Sequence, residues 1–174
     1  MLTLTLLRHA KSSWSDTELD DYDRPLAKRG AKAAPLIAKY MRREELRPDI
    51  ALCSGAVRTR ATLALVIAAL GPPTPEVRYE EKLYLASPAT ILARVRDIAP
   101  AKAHVLVVGH NPGLHSLALE LVATGDRKLL EGLAQEFPTA ALASLTFPIT
   151  SWSEIKSASG KLEHFATPRR LELE

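Results

Sequence analysis

The chain has 174 residues, 47% of them hydrophobic and 25% charged, with a formal net charge of +3. This length and balance suit one domain over residues 1–174 with a sizeable core, and so small a charge excess gives nucleic-acid binding no support. No apolar run approaches the roughly 20 residues of a membrane helix, and the single cysteine, Cys53, excludes an internal disulfide and points to a reducing compartment.

Leu2 to Leu7 is an apolar, partly β-branched run and reads as a buried strand. It is too short, and lacks the basic leader, for a signal peptide, so the expected location is cytoplasmic. The run stops at Arg8-His9, which it delivers to the sheet edge, where open α/β sheets place their ligands. Arg8 can fork onto an oxyanion, and His9 can act as nucleophile or proton carrier near neutral pH. The same pair also fits a strand that surfaces into a basic loop.

Ser12 to Asp23 is polar and reads as a loop, closed by Asp21-Tyr22-Asp23-Arg24-Pro25-Leu26. Lys28 to about Glu45 has helical periodicity, with Ala34, Ile37, Ala38 and Met41 on one face. Ile50 to Cys53 reads as a short buried strand. Ser54-Gly55 then opens a helix through Ala56 to Leu70, which ends at Gly71-Pro72-Pro73. Val77 to Tyr79 suggests a short strand. Ser87-Pro88 reads as an N-cap followed by proline at the first helical position, in a helix to about Ala99. His104 to Val108 is a β-branched run of the buried parallel type. Gly109-His110-Asn111-Pro112-Gly113 leads into a helix from Leu114 to Ala123. A further helix spans Arg127 to Gln135, and Ala140 to Phe147 and Lys161 to Ala166 read as strands. Such alternation predicts an α/β fold, a three-layer α/β/α sandwich with a mostly parallel central sheet.

Three of these strands end in turns that carry chemistry. Beside Arg8-His9 stand Ser54-Gly55-Ala56-Val57-Arg58 and Gly109-His110-Asn111-Pro112. In a parallel sheet the three turns share one edge. Ser54 occupies an expected N-cap position with Arg58 a turn further in, an arrangement suited to anions; a capped helix with solvated arginines would look the same. His110, directly after a strand and Gly109, is placed at the edge, whether to meet a ligand or to bond its own loop. Two arginines and two histidines together suit a tetrahedral dianion.

No histidine lies at ligand spacing for a metal. Asp21 and Asp23 resemble half a calcium loop but lack its glycine and distal glutamate, and read as turn residues. Neither GxxxxGK[ST] nor GxGxxG occurs. No metal and no cofactor is therefore expected.

Taken in order, Leu7-Arg8-His9-Ala10-Lys11-Ser12, Asp23-Arg24-Pro25-Leu26, Ser54-Gly55-Ala56-Val57-Arg58-Thr59, Leu83-Tyr84-Leu85-Ala86 and Val108-Gly109-His110-Asn111-Pro112-Gly113 resemble the histidine phosphatase (phosphoglycerate mutase-like) superfamily. Arg-His-Ala in place of the usual Arg-His-Gly resembles its short SixA-type phosphohistidine phosphatases, and the chain is too short for the helical insertion of larger relatives. The resemblance implies that His9 is a nucleophile that becomes transiently phosphorylated, with Arg8, Arg58 and His110 completing the phosphate pocket. Ser54 and Asn111 support it by position. Larger relatives keep an acid near the segment reading Glu80-Glu81-Lys82-Leu83-Tyr84, so Glu81 or Glu80 is the candidate general acid; solvated surface glutamates are the other reading.

A phosphohistidine leaving group departs as neutral imidazole when its other nitrogen carries a proton, and an imidazole side chain in water has a pKa of only about 6.5. An alkoxide needs a proton far more. The expectation is a metal-independent phosphatase acting on phosphohistidine in a partner protein. A small-molecule phosphomonoesterase or mutase, with Lys11 and Arg60 touching the rest of its substrate, and a non-catalytic phosphoprotein-binding module are the alternatives.

Overall fold

In a computed structural model that describes residues 1–173, the alternating pattern becomes seven strands and six α-helices. In chain order they are β1 (Leu2–Arg8), α1 (Lys28–Arg43), β2 (Ile50–Ser54), α2 (Val57–Leu70), β3 (Glu76–Glu80), α3 (Pro88–Arg96) and β4 (His104–Gly109). Then follow α4 (Gly113–Leu121), β5 (Val122–Gly125), α5 (Arg127–Gln135), β6 (Leu142–Phe147), β7 (Gly160–Ala166) and α6 (Pro168–Glu172).

The strands form one sheet in the order β3-β2-β4-β1-β6-β7-β5. Only β6 runs against the others: β1 pairs parallel with β4, β4 with β2 and β2 with β3, while β6 is antiparallel to both β1 and β7. Side chains alternate across a strand, so the sheet has two apolar faces to cover. Leu2, Leu4, Leu6, Leu52 and Val107 face α3, α4 and α5, where they meet Ile91, Leu114, Leu117 and Leu133. Leu7, Cys53, Leu106 and Val108 face α1 and α2, against Ile37, Met41, Leu63 and Val66. The result is a three-layer α/β/α sandwich, as the strand–helix alternation requires.

Register decides what this fold can present. Arg8 lies opposite Gly109, and Cys53 opposite Val108. The last residues of β1, β2 and β4 are therefore level, and the chain leaves all three at the same edge.

Most predicted boundaries shift by one or two residues. Two elements were not anticipated. The predicted helix to Ala123 stops at Leu121, and Val122–Gly125 becomes β5, paired with β7. Four residues show no periodicity, and a tertiary partner decides their state. α6 carries a start signal of its own: the Thr167 hydroxyl accepts from the Arg170 N–H, with Pro168 next. Strand β6 begins at Leu142 rather than Ala140, because Ala140 has a positive φ of 60° and gives its N–H to the Arg8 and His9 carbonyls.

The segment after β1 is anchored on α1. The Ala27 N–H donates to the Lys11 carbonyl at 2.9 Å, and a Cβ on Gly30 would stand 2.2 Å from that same oxygen. Backbone cannot yield as a side chain can, so Gly30→Ala should cost about 1–3 kcal/mol. Urea unfolding should show a lowered midpoint at an unchanged slope.

Candidate active site

At the shared strand edge lies a cavity of about 190 Å³, lined by Arg8, His9, Arg58, His110 and Asn111. Lys11, Ser12, Trp14, Arg24, Leu85 and Thr139 complete its wall. His9 and His110 are 6% and 2% exposed, and their ring centroids are 5.4 Å apart.

His9 is held from three sides. Its N–H donates to the Gly109 carbonyl at 3.1 Å, its carbonyl accepts from Ala140 at 2.9 Å, and the next N–H, of Ala10, donates to Thr62 Oγ1 at 3.0 Å. Its ring Nδ1 lies 2.8 Å from the Ala10 carbonyl. A carbonyl only accepts, so Nδ1 carries the proton and Nε2 keeps its lone pair. Burial, reinforced by the nearby Arg58, Arg8 and Arg24 charges, pushes the His9 pKa down to about 4. At neutral pH the ring is uncharged and Nε2 is nucleophilic.

His110 is fixed in the opposite tautomer. Arg58 Nη2 is 3.4 Å from its Nδ1, and a guanidinium only donates, so Nε2–H donates to Ser54 Oγ at 2.7 Å. Burial and then Arg58 push its pKa down to about 3. Ser54 is the last residue of β2 and fully buried; it stands behind His110 rather than facing the cavity. It is not the expected N-cap: that position belongs to Ala56, and Arg58 is the second helical residue rather than one turn in. The strand simply runs one residue further than its apolar pattern suggests. Asn111 lines the cavity, but its amide is engaged on both ends, donating to the Phe137 carbonyl at 2.8 Å and accepting from the His115 N–H. The same Phe137 carbonyl accepts from Arg8.

The arginines need a counter-charge, and Asp21 supplies it. Arg58 Nη2 reaches Asp21 Oδ2 at 2.9 Å, Arg24 reaches Oδ1 at 3.1 Å, and the Tyr84 hydroxyl also donates to Oδ2. The Tyr84 bond, followed by Arg58 and Arg24, pulls the Asp21 pKa down to about 2. Asp21 is thus an anchored carboxylate, not a plain turn residue. Its own position in a short polar loop carried no periodic signal; only the neighbouring Asp-Arg-Pro-Leu run marked the region. Arg24, Trp14, Ser12 and Thr139 also enter the cavity wall without having been singled out for it. Among the described residues the buried Nε atoms of Arg8 and Arg58 have no hydrogen-bond partner, so neither guanidinium has spent all its donors.

Glu80 and Glu81 are not brought to the cavity. Glu80 pairs with Arg94 at 3.3 Å, and Glu81 accepts from the Tyr22 hydroxyl at 2.6 Å. The strand order explains it: β3 is three strand spacings from β1, about 14 Å. Gly55 accommodates this contact, since a Cβ there would lie 2.0 Å from Glu81 Oε1. Arg60 stacks on Tyr79 at 4.4 Å, away from the cavity wall. Among the described residues no three His, Cys, Asp or Glu side chains group closely enough to hold a metal ion, and no helix is long and apolar enough to cross a membrane.

The two depressed histidine pKa values have a consequence for stability. Unfolded, each ring titrates near 6.5; folded, near 4 and 3. Between these values the unfolded chain binds more protons, so stability is full above about pH 6.5 and falls as pH drops. In phosphate-free buffer the urea midpoint should decline from pH 7 to pH 4.5, and His110→Gln should make that decline shallower, with His9 and the buried His104, both held near 4, supplying the rest.

A family model described as the histidine phosphatase superfamily (branch 1) matches residues 4–84. An uncharacterized protein of Mycobacterium tuberculosis is 35% identical over 165 residues, covering 94% of this chain and all of that one. Among solved structures, the candidate phosphohistidine phosphatase SixA from Nakamurella multipartitia is 31% identical with a TM-score of 0.81, covering 96% of each chain. Its counterpart from Agrobacterium tumefaciens is 28% identical with a TM-score of 0.79, covering 96% of this chain and 98% of that one. The match in sequence over the strand that delivers Arg8 and His9, and in fold over nearly the whole chain, places this protein in the histidine phosphatase superfamily.

Proposed function

We propose that the chain is a single histidine phosphatase domain, a cytoplasmic and metal-independent phosphatase that hydrolyses phosphohistidine in a partner protein through a phosphorylated His9. The observation that carries this reading is the pairing of a tautomer-locked, uncharged His9 with a cavity whose wall is cationic and contains no carboxyl side chain among the described residues. The similarity to two SixA-like structures supports it, and buried Cys53 suits a reducing compartment.

The substrate phosphoryl group enters the cavity as a dianion, and Arg8 and Arg58 neutralise it by charge-assisted hydrogen bonds. His9 Nε2 attacks phosphorus, and the bond from phosphorus to the substrate nitrogen breaks. Nδ1 keeps its proton on the Ala10 carbonyl, so the phosphorylated ring is cationic. When water attacks, the ring departs as neutral imidazole and no proton has to be found for it. The first leaving group, a substrate imidazole already protonated on its other nitrogen, is equally undemanding.

This matters because the site holds no ready acid. Asp21 is kept ionised down to about pH 2, and His110 is kept neutral. Its one N–H is spent on Ser54. An alkyl phosphomonoester would lack the proton donor that typically supplies about 10²–10⁴-fold. Phosphohistidine loses nothing by that lack.

Three results test the reading. His9→Ala should abolish turnover while leaving vanadate binding partly intact, because the arginines remain. Wild-type enzyme quenched during turnover should carry an acid-labile, base-stable phosphoryl group on His9, and EDTA should leave the rate unchanged. Free phosphohistidine should be hydrolysed about 10²-fold or more faster than alkyl phosphates, with Glu80→Gln/Glu81→Gln altering neither rate by more than about twofold. Normal turnover in His9→Ala, or a large loss in the double Gln variant, would overturn the nucleophile or the acid-free chemistry respectively.

A further inference from the structure

The phosphate-sized cavity is not closed off beyond His9. Lys11 and Thr139 also line a second concavity of about 530 Å³, walled by Arg29 and Lys32 of α1, Arg169 of α6, and the acids Glu136 and Glu172. Four cations face two acids, so the groove carries an excess of positive charge. The side chains of Lys11, Arg29, Lys32 and Arg169 are exposed, and among the described residues none has a hydrogen bond or ion pair. This face is therefore concave and net positive, its four cations are unpaired among the described residues, and it shares Lys11 and Thr139 with the wall of the phosphoryl site.

The cavity mouth has an apolar rim as well. Trp14 is 68% exposed and stacks on Arg24, whose guanidinium carbon is 3.4 Å from the ring centroid. Leu85 is 55% exposed and sits at φ 49°, a left-handed conformation costly for a leucine. The chain on either side holds it there: the Tyr84 hydroxyl donates to Asp21, and the Ala86 N–H to the Leu83 carbonyl. A strained, solvent-facing leucine beside a reacting site points to contact with something outside the molecule. A small phosphorylated compound would fill the 190 Å³ cavity and leave the groove empty and the solvent-facing sides of Trp14 and Leu85 uncovered. A protein surface would meet all three.

We propose that the groove formed by Lys11, Arg29, Lys32 and Arg169 is a docking site for an acidic flank of the protein that carries the scissile phosphoryl group, an inference that rests on the phosphatase reading. Attraction by the unpaired cations would steer that flank into the groove and raise the encounter rate. The apolar rim would pack beside the phosphohistidine.

Three probes decide it: a synthetic phosphohistidine peptide flanked by glutamates, the same peptide flanked by serines, and free phosphohistidine. The glutamate peptide should exceed the serine peptide about tenfold in kcat/KM at low salt, as two or three ion pairs would give. In Lys32→Glu/Arg169→Glu the ratio should fall close to one, and 0.5 M salt should shrink it in the wild type. The ratio is internally controlled, since a folding or catalytic defect lowers both peptides alike. Equal turnover of the two peptides, or a preference that survives charge reversal, would overturn the docking site. Fluorescence polarisation with both peptides, each carrying a non-hydrolysable phosphohistidine mimic, gives the same ratio as affinities. Absence of turnover would then count against the phosphatase reading alone, while the affinity ratio still decides the groove. A peptide ratio of one, with tripolyphosphate binding that the charge-reversed variant loses, would assign the groove to a small polyanion and overturn the proposal.

Discussion

Three arginines converge on one cavity, and like charges brought together in a partly desolvated space repel strongly. The Asp21 carboxylate is what makes the arrangement tenable. It takes Arg58 on one oxygen and Arg24 on the other, and Tyr84 orders it further. Arg8, with no carboxylate of its own, leans on the Phe137 carbonyl. The positive excess that remains suits an anionic ligand, and Arg8 and Arg58 each keep a buried Nε with no partner among the described residues.

The same field governs the histidines. In water an imidazole near pH 6.5 would be an indifferent mixture of charged and neutral forms. Burial amid arginines removes the charged form, and the Ala10 carbonyl and the Arg58 guanidinium select opposite tautomers for His9 and His110. One ring is left with a lone pair facing the cavity, the other with its N–H spent on Ser54. The proposed nucleophile and its buried neighbour thus differ by a hydrogen bond apiece, not by residue type. The charges that depress these pKa values are those that would bind the substrate, so anion binding and ring protonation are coupled through one set of groups.

Leu85 and Trp14 show how the chain presents this site. Both are large apolar side chains kept at the cavity mouth instead of in the core, which is closed on both sheet faces by buried apolar side chains. Gly30 and Gly55 act in the opposite sense. They let backbone or side chain approach where no Cβ fits, α1 against Lys11 and the β2 turn against Glu81.

Read alone, the sequence establishes the alternation of strands and helices and the three loaded strand ends, because runs such as Leu2 to Leu7 and His104 to Val108 are long and apolar enough to be strands whatever surrounds them. Parallel pairing then obliges Arg8-His9, Ser54 and His110 to share an edge. Short elements were not legible: β5 exists because β7 offers it a partner, and no local pattern in four residues encodes that. The roles of individual polar residues were decided by distance. Asp21 became the anchor because the loop folds back onto Arg58, and Glu80 and Glu81 stand apart because strand order, which local propensity does not record, puts β3 at the sheet's far side. Periodicity reports what a segment buries; only the assembled sheet reports which charges meet.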